Sequence, residues 1–450
     1  MSGKRITLRR ITFATVGLAV GYWLFADTVR HHADRAADPN LIRFSHFGTY
    51  QDYETWAEVI RAFEADHPRL HVRQEYVSGW YGLYDTKMRQ QILSGTLPDV
   101  VLVQYGPFRS IAEHFEPLDD HLPVATSAAD SPNELDATAL RCFRVDGRQR
   151  GLPVSGGNLL IYCNPECFQR AGEHRGHEIA LPSADWTLAD FRQTAEALTC
   201  DFDGDGKLDQ FGFWQPRWVY YLPFIWSFGA DVLDETNTEW RFTGPEAEAA
   251  VRFYQQLRFP HQVSPRPEEV AQIIQDVGFL TGKVAMCVNG PWFQPFLART
   301  KLADTYAVAH IPAGPGGRVT RVTWDGIAMR RELPRDRRRG AEGFVRFVCS
   351  PRAQGILART QRALPALRGA ATEFTRRDGG RVSRRFIEAL SYSRLQPQTP
   401  HFATMDRAIN RHLRRLLADH DRSTPAEMLA ELAADPAIGK HFVVTGGQRR

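Results

Sequence analysis

Leu97-Pro98-Asp99-Val100-Val101-Leu102-Val103 is the stretch on which the reading of this chain turns. Four aliphatic residues in a row after a Pro-Asp pair suit a strand buried on both faces, as in a parallel sheet. Just upstream, Tyr84 to Leu93 reads as a helix stopped by Ser94-Gly95. Before it, His71-Val72-Arg73-Gln74-Glu75-Tyr76-Val77 alternates as a strand, and Tyr53 to Ala65 spaces Trp56, Val59, Ile60 and Phe63 as one helical face. Leu41-Ile42-Arg43-Phe44-Ser45 reads as the opening strand. Strand and helix therefore alternate at the spacing of an α/β fold.

The alternation continues downstream. Gly151–Val154 and Leu159–Tyr162 read as strands on either side of a polar Ser155-Gly156-Gly157-Asn158 connection. Thr187 caps a helix that begins in Trp186-Thr187-Leu188-Ala189-Asp190-Phe191. Further helices are predicted at Pro245–Leu257, Glu268–Leu280, Arg338–Cys349, Pro351–Thr360, Thr404–Ala418 and Pro425–Ala433. Further strands are predicted at Val284–Cys287, Tyr306–His310 and Ile327–Met329, and the charge run Arg335 to Arg339 reads as a solvated loop entering a helix. At 450 residues the chain is too long for one core and calls for two or three domains.

The net charge of +4 is small for this length, and no basic stripe tracks a phosphate backbone, so nucleic acid is not an expected partner. Lys4, Arg5, Arg9 and Arg10 precede an apolar run from Ile11 to Ala26, the pattern of an export signal. Tyr22, Trp23 and Phe25 stand where a signal peptidase needs small residues, so the reading is an uncleaved signal-anchor in the inner membrane. A cleaved, soluble periplasmic form is the alternative. The six cysteines show no paired CxxC spacing, which argues against a zinc ribbon or thioredoxin site. Cys163 and Cys167 read as buried small side chains, with a disulfide left open.

Several separated segments resemble the family 1 extracellular solute-binding proteins, the maltose-binding-like receptors. They are Leu97-Pro98-Asp99-Val100-Val101, Gly151-Leu152-Pro153 through Ile161-Tyr162-Cys163-Asn164, and the acidic loop Asp201 to Phe213. After these come Phe279-Leu280-Thr281-Gly282-Lys283-Val284-Ala285-Met286 with Asn289-Gly290-Pro291-Trp292, then Leu364-Pro365-Ala366, then Ser423-Thr424-Pro425-Ala426-Glu427-Met428-Leu429. Each motif is short, but they run in family order over residues 41–440. The resemblance implies a class II periplasmic-binding-protein-like fold, with two α/β lobes, a hinge and an inter-lobe cleft. It assigns 1–40 to anchor and tether, 41–154 and 326–366 to the N-lobe, and 155–325 and 367–442 to the C-lobe. It also implies a monomeric receptor that reversibly binds a sugar or related polyol and presents it to ABC permease subunits. A membrane-anchored ligand sensor and a carbohydrate-active enzyme are the rival readings.

A sugar presents hydroxyls and patches of C–H, so its receptor needs aromatic faces and bidentate polar groups. At positions that match the family's cleft, the aromatic candidates are Trp80, Tyr81, Trp214, Trp218, Tyr220, Tyr221, Trp292, Trp324 and Phe402. The polar candidates are Thr49, Tyr50, Asp52, Gln104, Asn158, Asp325 and Arg394. Asp201-x-Asp203-x-Asp205-Gly206-x-Leu208-Asp209 follows the first nine positions of a calcium loop, but Gly212 stands where a bidentate Glu belongs. The loop reads either as a structural calcium site or as a plain Asx-rich turn; no other cofactor is expected. No P-loop, dinucleotide glycine fingerprint, HExxH or G-x-S-x-G occurs, so no catalytic residue is assigned.

Overall fold

The computed structural model describes residues 38–79, 81–119, 134–214, 217–265, 275–418 and 423–444. These fall into two compact units. The smaller contains described residues 38–103, 114–119 and 327–347; the larger contains 104–113, 134–326 and 348–444.

In the smaller unit the strands Leu41–Gly48 and His71–Ser78 pair in parallel from Leu41↔His71 to Gly48↔Ser78. Val100–Gln104 lies on the other side of the first strand, also parallel, with Phe44 opposite Val100. Between the first two strands runs the helix Tyr50–Asp66, which buries Trp56, Val59, Ile60 and Phe63 at the predicted spacing. Phe63 meets Phe344 edge-on at 5.1 Å, and Phe344 meets Phe44 at 5.2 Å, so helix Arg335–Val348 closes the same core. Each such aromatic buries enough surface for about 1.5–3 kcal/mol.

The run Arg335 to Arg339 is not a solvated loop. It forms the first turn of the helix Arg335–Val348, and Arg337 is 4% exposed, paired with Asp99. Asp99 also accepts the backbone N–H of Arg43 at 2.9 Å, and Arg330 approaches it at 3.8 Å. Arg43, itself buried, donates to Glu75 at 2.7 Å and to the Thr96 carbonyl at 3.2 Å. The Pro-Asp of the opening motif is thus an internal charge staple, which is why that Asp can precede a buried strand.

The larger unit holds a four-stranded sheet in the order Ala307–Ala309, Leu160–Cys163, Val284–Asn289, Phe211–Trp214. The first two pairings are antiparallel and the third parallel. Helix Leu188–Ala197 packs beside it, capped by Thr187 with Asp190 in a reciprocal capping box; Thr424 and Glu427 cap Pro425–Ala434 in the same way. Ser155-Gly156-Gly157-Asn158 is not a polar connection but the second half of the strand Leu152–Asn158. Glycine is required there because a Cβ at Gly156 would strike the Trp324 ring, and one at Gly157 would meet Trp292 at 2.8 Å. Cys163 and Cys167 are buried, and the Cys167 thiol donates to the Gly282 carbonyl at 3.4 Å. Burial pushes the Cys167 thiol up to about 12, as befits inert packing residues.

Candidate functional site

Within the larger unit, two half-buried aromatic side chains meet at a right angle. Tyr220 and Trp292 stand 6.4 Å apart, centroid to centroid, with planes at 86°. Trp292 lies in the short turn Pro291–Phe293, directly after the strand Val284–Asn289. Its indole folds back over Gly290, where a side chain would collide with the ring, and the Tyr162 hydroxyl holds the Gly290 carbonyl at 2.8 Å. The Asn-Gly-Pro-Trp sequence therefore encodes the orientation of the indole locally.

Tyr220 is carried by the helix Trp218–Ser227, which is apolar on every side and consequently buried. Trp218 anchors its first turn. It is 1% exposed, and its indole N–H donates to Asp406 at 2.8 Å. Its backbone N–H donates to the Asn410 side chain at 3.2 Å, and Phe402, half-buried, lies 6.4 Å from its ring. Trp218 and Phe402 thus lie near each other, while half-buried Tyr220 stands beside Trp292.

Behind this corner runs the strand Thr320–Met329, paired in parallel with Ser393–Leu395. Arg321 is 6% exposed, and its guanidinium lies 5.6 Å from the Tyr220 ring centroid. Its Nη1 donates to Gln396 Oε1 at 2.7 Å, and its Nε has no hydrogen-bond partner. Burial lowers the Arg321 pKa to about 10, with Arg217 adding to the fall and Tyr220 and Asp325 opposing it. Asp325 is half-buried on the same strand. Trp324, on the alternate face, is 2% exposed and packs on Gly156.

The other candidates sit as follows. In the smaller unit, Thr49 caps helix Tyr50–Asp66, and the Asp52 carboxylate accepts the Thr49 N–H at 2.6 Å and hydroxyl at 2.9 Å. Gly48, at φ +142°, leaves the space that this carboxylate occupies. Tyr50 is exposed and stacks on Tyr53 at 6.0 Å. Trp80 lies outside the described residues, and Tyr81 begins the helix Tyr81–Leu93. Gln104 ends its strand half-buried. Asn158 is fully buried, and its amide donates to the Phe386 carbonyl at 2.8 Å and to Ser393 at 3.3 Å. Sequence reasoning missed Arg321 and Gln396. An arginine alternating with Thr323 and Asp325 just ahead of the predicted strand Ile327–Met329 was the available signal.

In the acidic loop, carboxylate oxygens of Asp201, Asp203 and Asp209 lie within 4.8 Å of one another, and Asp205 is not among them. Asp201 accepts the N–H groups of Gly204 and Gly206, both at 2.8 Å, and the Gly206 bond leads in holding its carboxyl below the usual range. Asp203 and Asp205 accept main-chain N–H groups two residues on, as in Asx turns. Gly212, at the twelfth position, is glycine because any side chain would enter the Ala195 carbonyl.

The fold is that of the class II periplasmic binding proteins. The family model described as bacterial extracellular solute-binding protein matches residues 48–355, more than half of the chain. The chain belongs to that family, whose members are binding proteins acting outside the cytoplasm. Among solved structures, an ABC substrate-binding protein of Listeria monocytogenes in complex with cycloalternan is 22% identical, with a TM-score of 0.78. That match covers 90% of this chain and 100% of the other. Maltose-bound MalE3 of T. maritima is 19% identical with a TM-score of 0.72, covering 88% of this chain and 98% of the other. A curated Brucella abortus (strain 2308) relative, named only as a binding protein, is 27% identical over 278 residues. The match spans 60% of this chain and 63% of the Brucella protein.

Proposed function

We propose that this chain is the extracytoplasmic receptor of an ABC importer and reversibly binds a saccharide or related polyol without turning it over. The observation that carries this reading is the right-angled Tyr220–Trp292 corner. Two perpendicular aromatic faces, both partly open, suit the C–H patches of a pyranose, and the Arg321–Gln396 pair behind them suits its hydroxyls. Similar structures hold cycloalternan and maltose, which supports a carbohydrate ligand. In this reading the protein acts as a monomer, and its partners are permease subunits of the importer.

We also infer that Ile11 to Ala26 is an uncleaved anchor with its basic end inside. That segment lies outside the described residues, among which no helix is long and apolar enough to cross a membrane.

A thermal-shift screen of the protein against mono-, di- and oligosaccharides, with polyamines as controls, tests the ligand. Saccharide at about 100 times its dissociation constant should add roughly 2.7 kcal/mol of stability. Trp292→Ala should abolish the shift. A shift with polyamines and none with any saccharide would overturn the carbohydrate reading, and release of reducing ends from a bound oligosaccharide would overturn the non-catalytic one.

A further inference from the structure

Arg321 is one of the buried cations of the larger unit. It is 6% exposed, and among the described residues no carboxylate lies within ion-pair distance of it. By contrast, the buried Arg337 of the smaller unit is neutralised by Asp99 in direct contact. In the larger unit Arg394 pairs with Asp231 at 2.5 Å, and Arg217 lies 3.8 Å from Asp406. Arg321 hydrogen-bonds only the neutral amide oxygen of Gln396 and lies against the face of Tyr220, with Asp325 acting on it through space beyond ion-pair distance. A buried guanidinium held this way is costly unless an anion completes it.

The unfilled atoms share one side of one strand. Arg321 and Thr323 are two residues apart, so their side chains leave the same face of Thr320–Met329. The Arg321 Nε and the Thr323 hydroxyl are both buried, and both lack any hydrogen-bond partner. Because Gln396 occupies Nη1, the Nε–Nη2 edge remains, and that edge has the geometry of bidentate carboxylate or phosphate recognition. Tyr220, stacked over the guanidinium, is also one wall of the aromatic corner, so an anion on this edge lies next to a ring seated there. Asp325 leaves the same face further along the strand.

We propose that Arg321, with the Thr323 hydroxyl beside it, is the specificity-determining cation of the site and takes the carboxylate or phosphate group of an acidic saccharide or polyol. This rests on the saccharide reading above and narrows it from neutral to acidic ligands. Gln396 is a positioning residue that holds Nη1 and leaves the Nε–Nη2 edge unpaired.

Isothermal titration of the full-length protein with matched pairs tests the assignment: D-glucose with D-glucuronate, D-galactose with D-galacturonate, and glycerol with glycerol 3-phosphate, with inorganic phosphate alone as a further arm. In at least one pair the acid should bind at least tenfold tighter than its neutral partner and than inorganic phosphate. The sugar pairs and the glycerol pair separate carboxylate from phosphate as the source of the anion. Arg321→Gln should erase that margin, and Arg321→Lys should keep part of it. Should Arg321→Gln fail to fold, Thr323→Val decides, with a reduced margin expected. Neutral members binding as tightly as acids overturns the proposal and leaves the saccharide reading intact. Inorganic phosphate binding as tightly as any acid overturns it too. Failure of every pair overturns the proposal, while the saccharide reading stands or falls on the thermal-shift screen with di- and oligosaccharides.

Discussion

The indole N–H of Trp218 donates to the carboxylate of Asp406 at 2.8 Å, tying the first turn of helix Trp218–Ser227 to helix Phe402–Leu416. This bond holds the turn that presents Tyr220. Asp406→Ala should leave a buried donor unmet and cost about 1–3 kcal/mol, whereas Asp406→Asn keeps an acceptor and should cost less. Urea unfolding measures both. Equal midpoints for Asp406→Ala and the wild type would show that the bond contributes nothing.

Asp99 makes a second, stronger prediction. It neutralises Arg337, 4% exposed, and accepts the Arg43 N–H, so its removal strands a buried cation. Asp99→Ala should cost about 3–5 kcal/mol, as expected when one partner of a buried pair is deleted. Guanidinium unfolding followed by tryptophan fluorescence would register it through Trp56, in the same core. A loss under 1 kcal/mol on the scale of an exposed pair would contradict the buried-staple account.

The pH dependence of Asp378 has a definite sign. Burial works to raise its carboxyl pKa, but four hydrogen bonds outweigh it: Ser383 Oγ at 2.5 Å, the N–H groups of Ser383 and Val382 at 2.9 Å, and that of Gly380 at 3.0 Å. The pKa is therefore lower folded than unfolded, and the stabilisation is present above the unfolded value of about 3.9. It is lost as pH falls through the folded value. The stability gap between wild type and Asp378→Asn should hold steady from pH 7 to 5 and close below about pH 4. A gap that widens on acidification would reverse the assignment.

For the acidic loop, the expected outcome is thermal neutrality. Asp201, Asp203 and Asp205 already accept main-chain N–H groups, and Asp209 accepts the Phe202 N–H at 2.8 Å. With Gly212 committed to packing on Ala195, no twelfth ligand is at hand. Melting curves in chelator and in millimolar calcium should coincide within a degree. A calcium-dependent rise of several degrees would make the loop a metal site.

Local features were legible from residue order alone. The α/β alternation, the helical face of Trp56, Val59, Ile60 and Phe63, and the cap at Thr187 depend on residues a few positions apart. So does the turn that aims Trp292, because its indole packs on its own Gly290. Other outcomes depended on partners far along the chain. Arg337 is buried because Asp99 lies 238 residues away in sequence. Ser155-Gly156-Gly157-Asn158 became strand because two tryptophans fill the space its glycines leave. Arg321 gained its significance only when residues 220, 323 and 396 gathered around it. Periodicity and capping are written in neighbouring residues, whereas the pairing or isolation of a buried charge is set by contacts that exist only once the chain has folded.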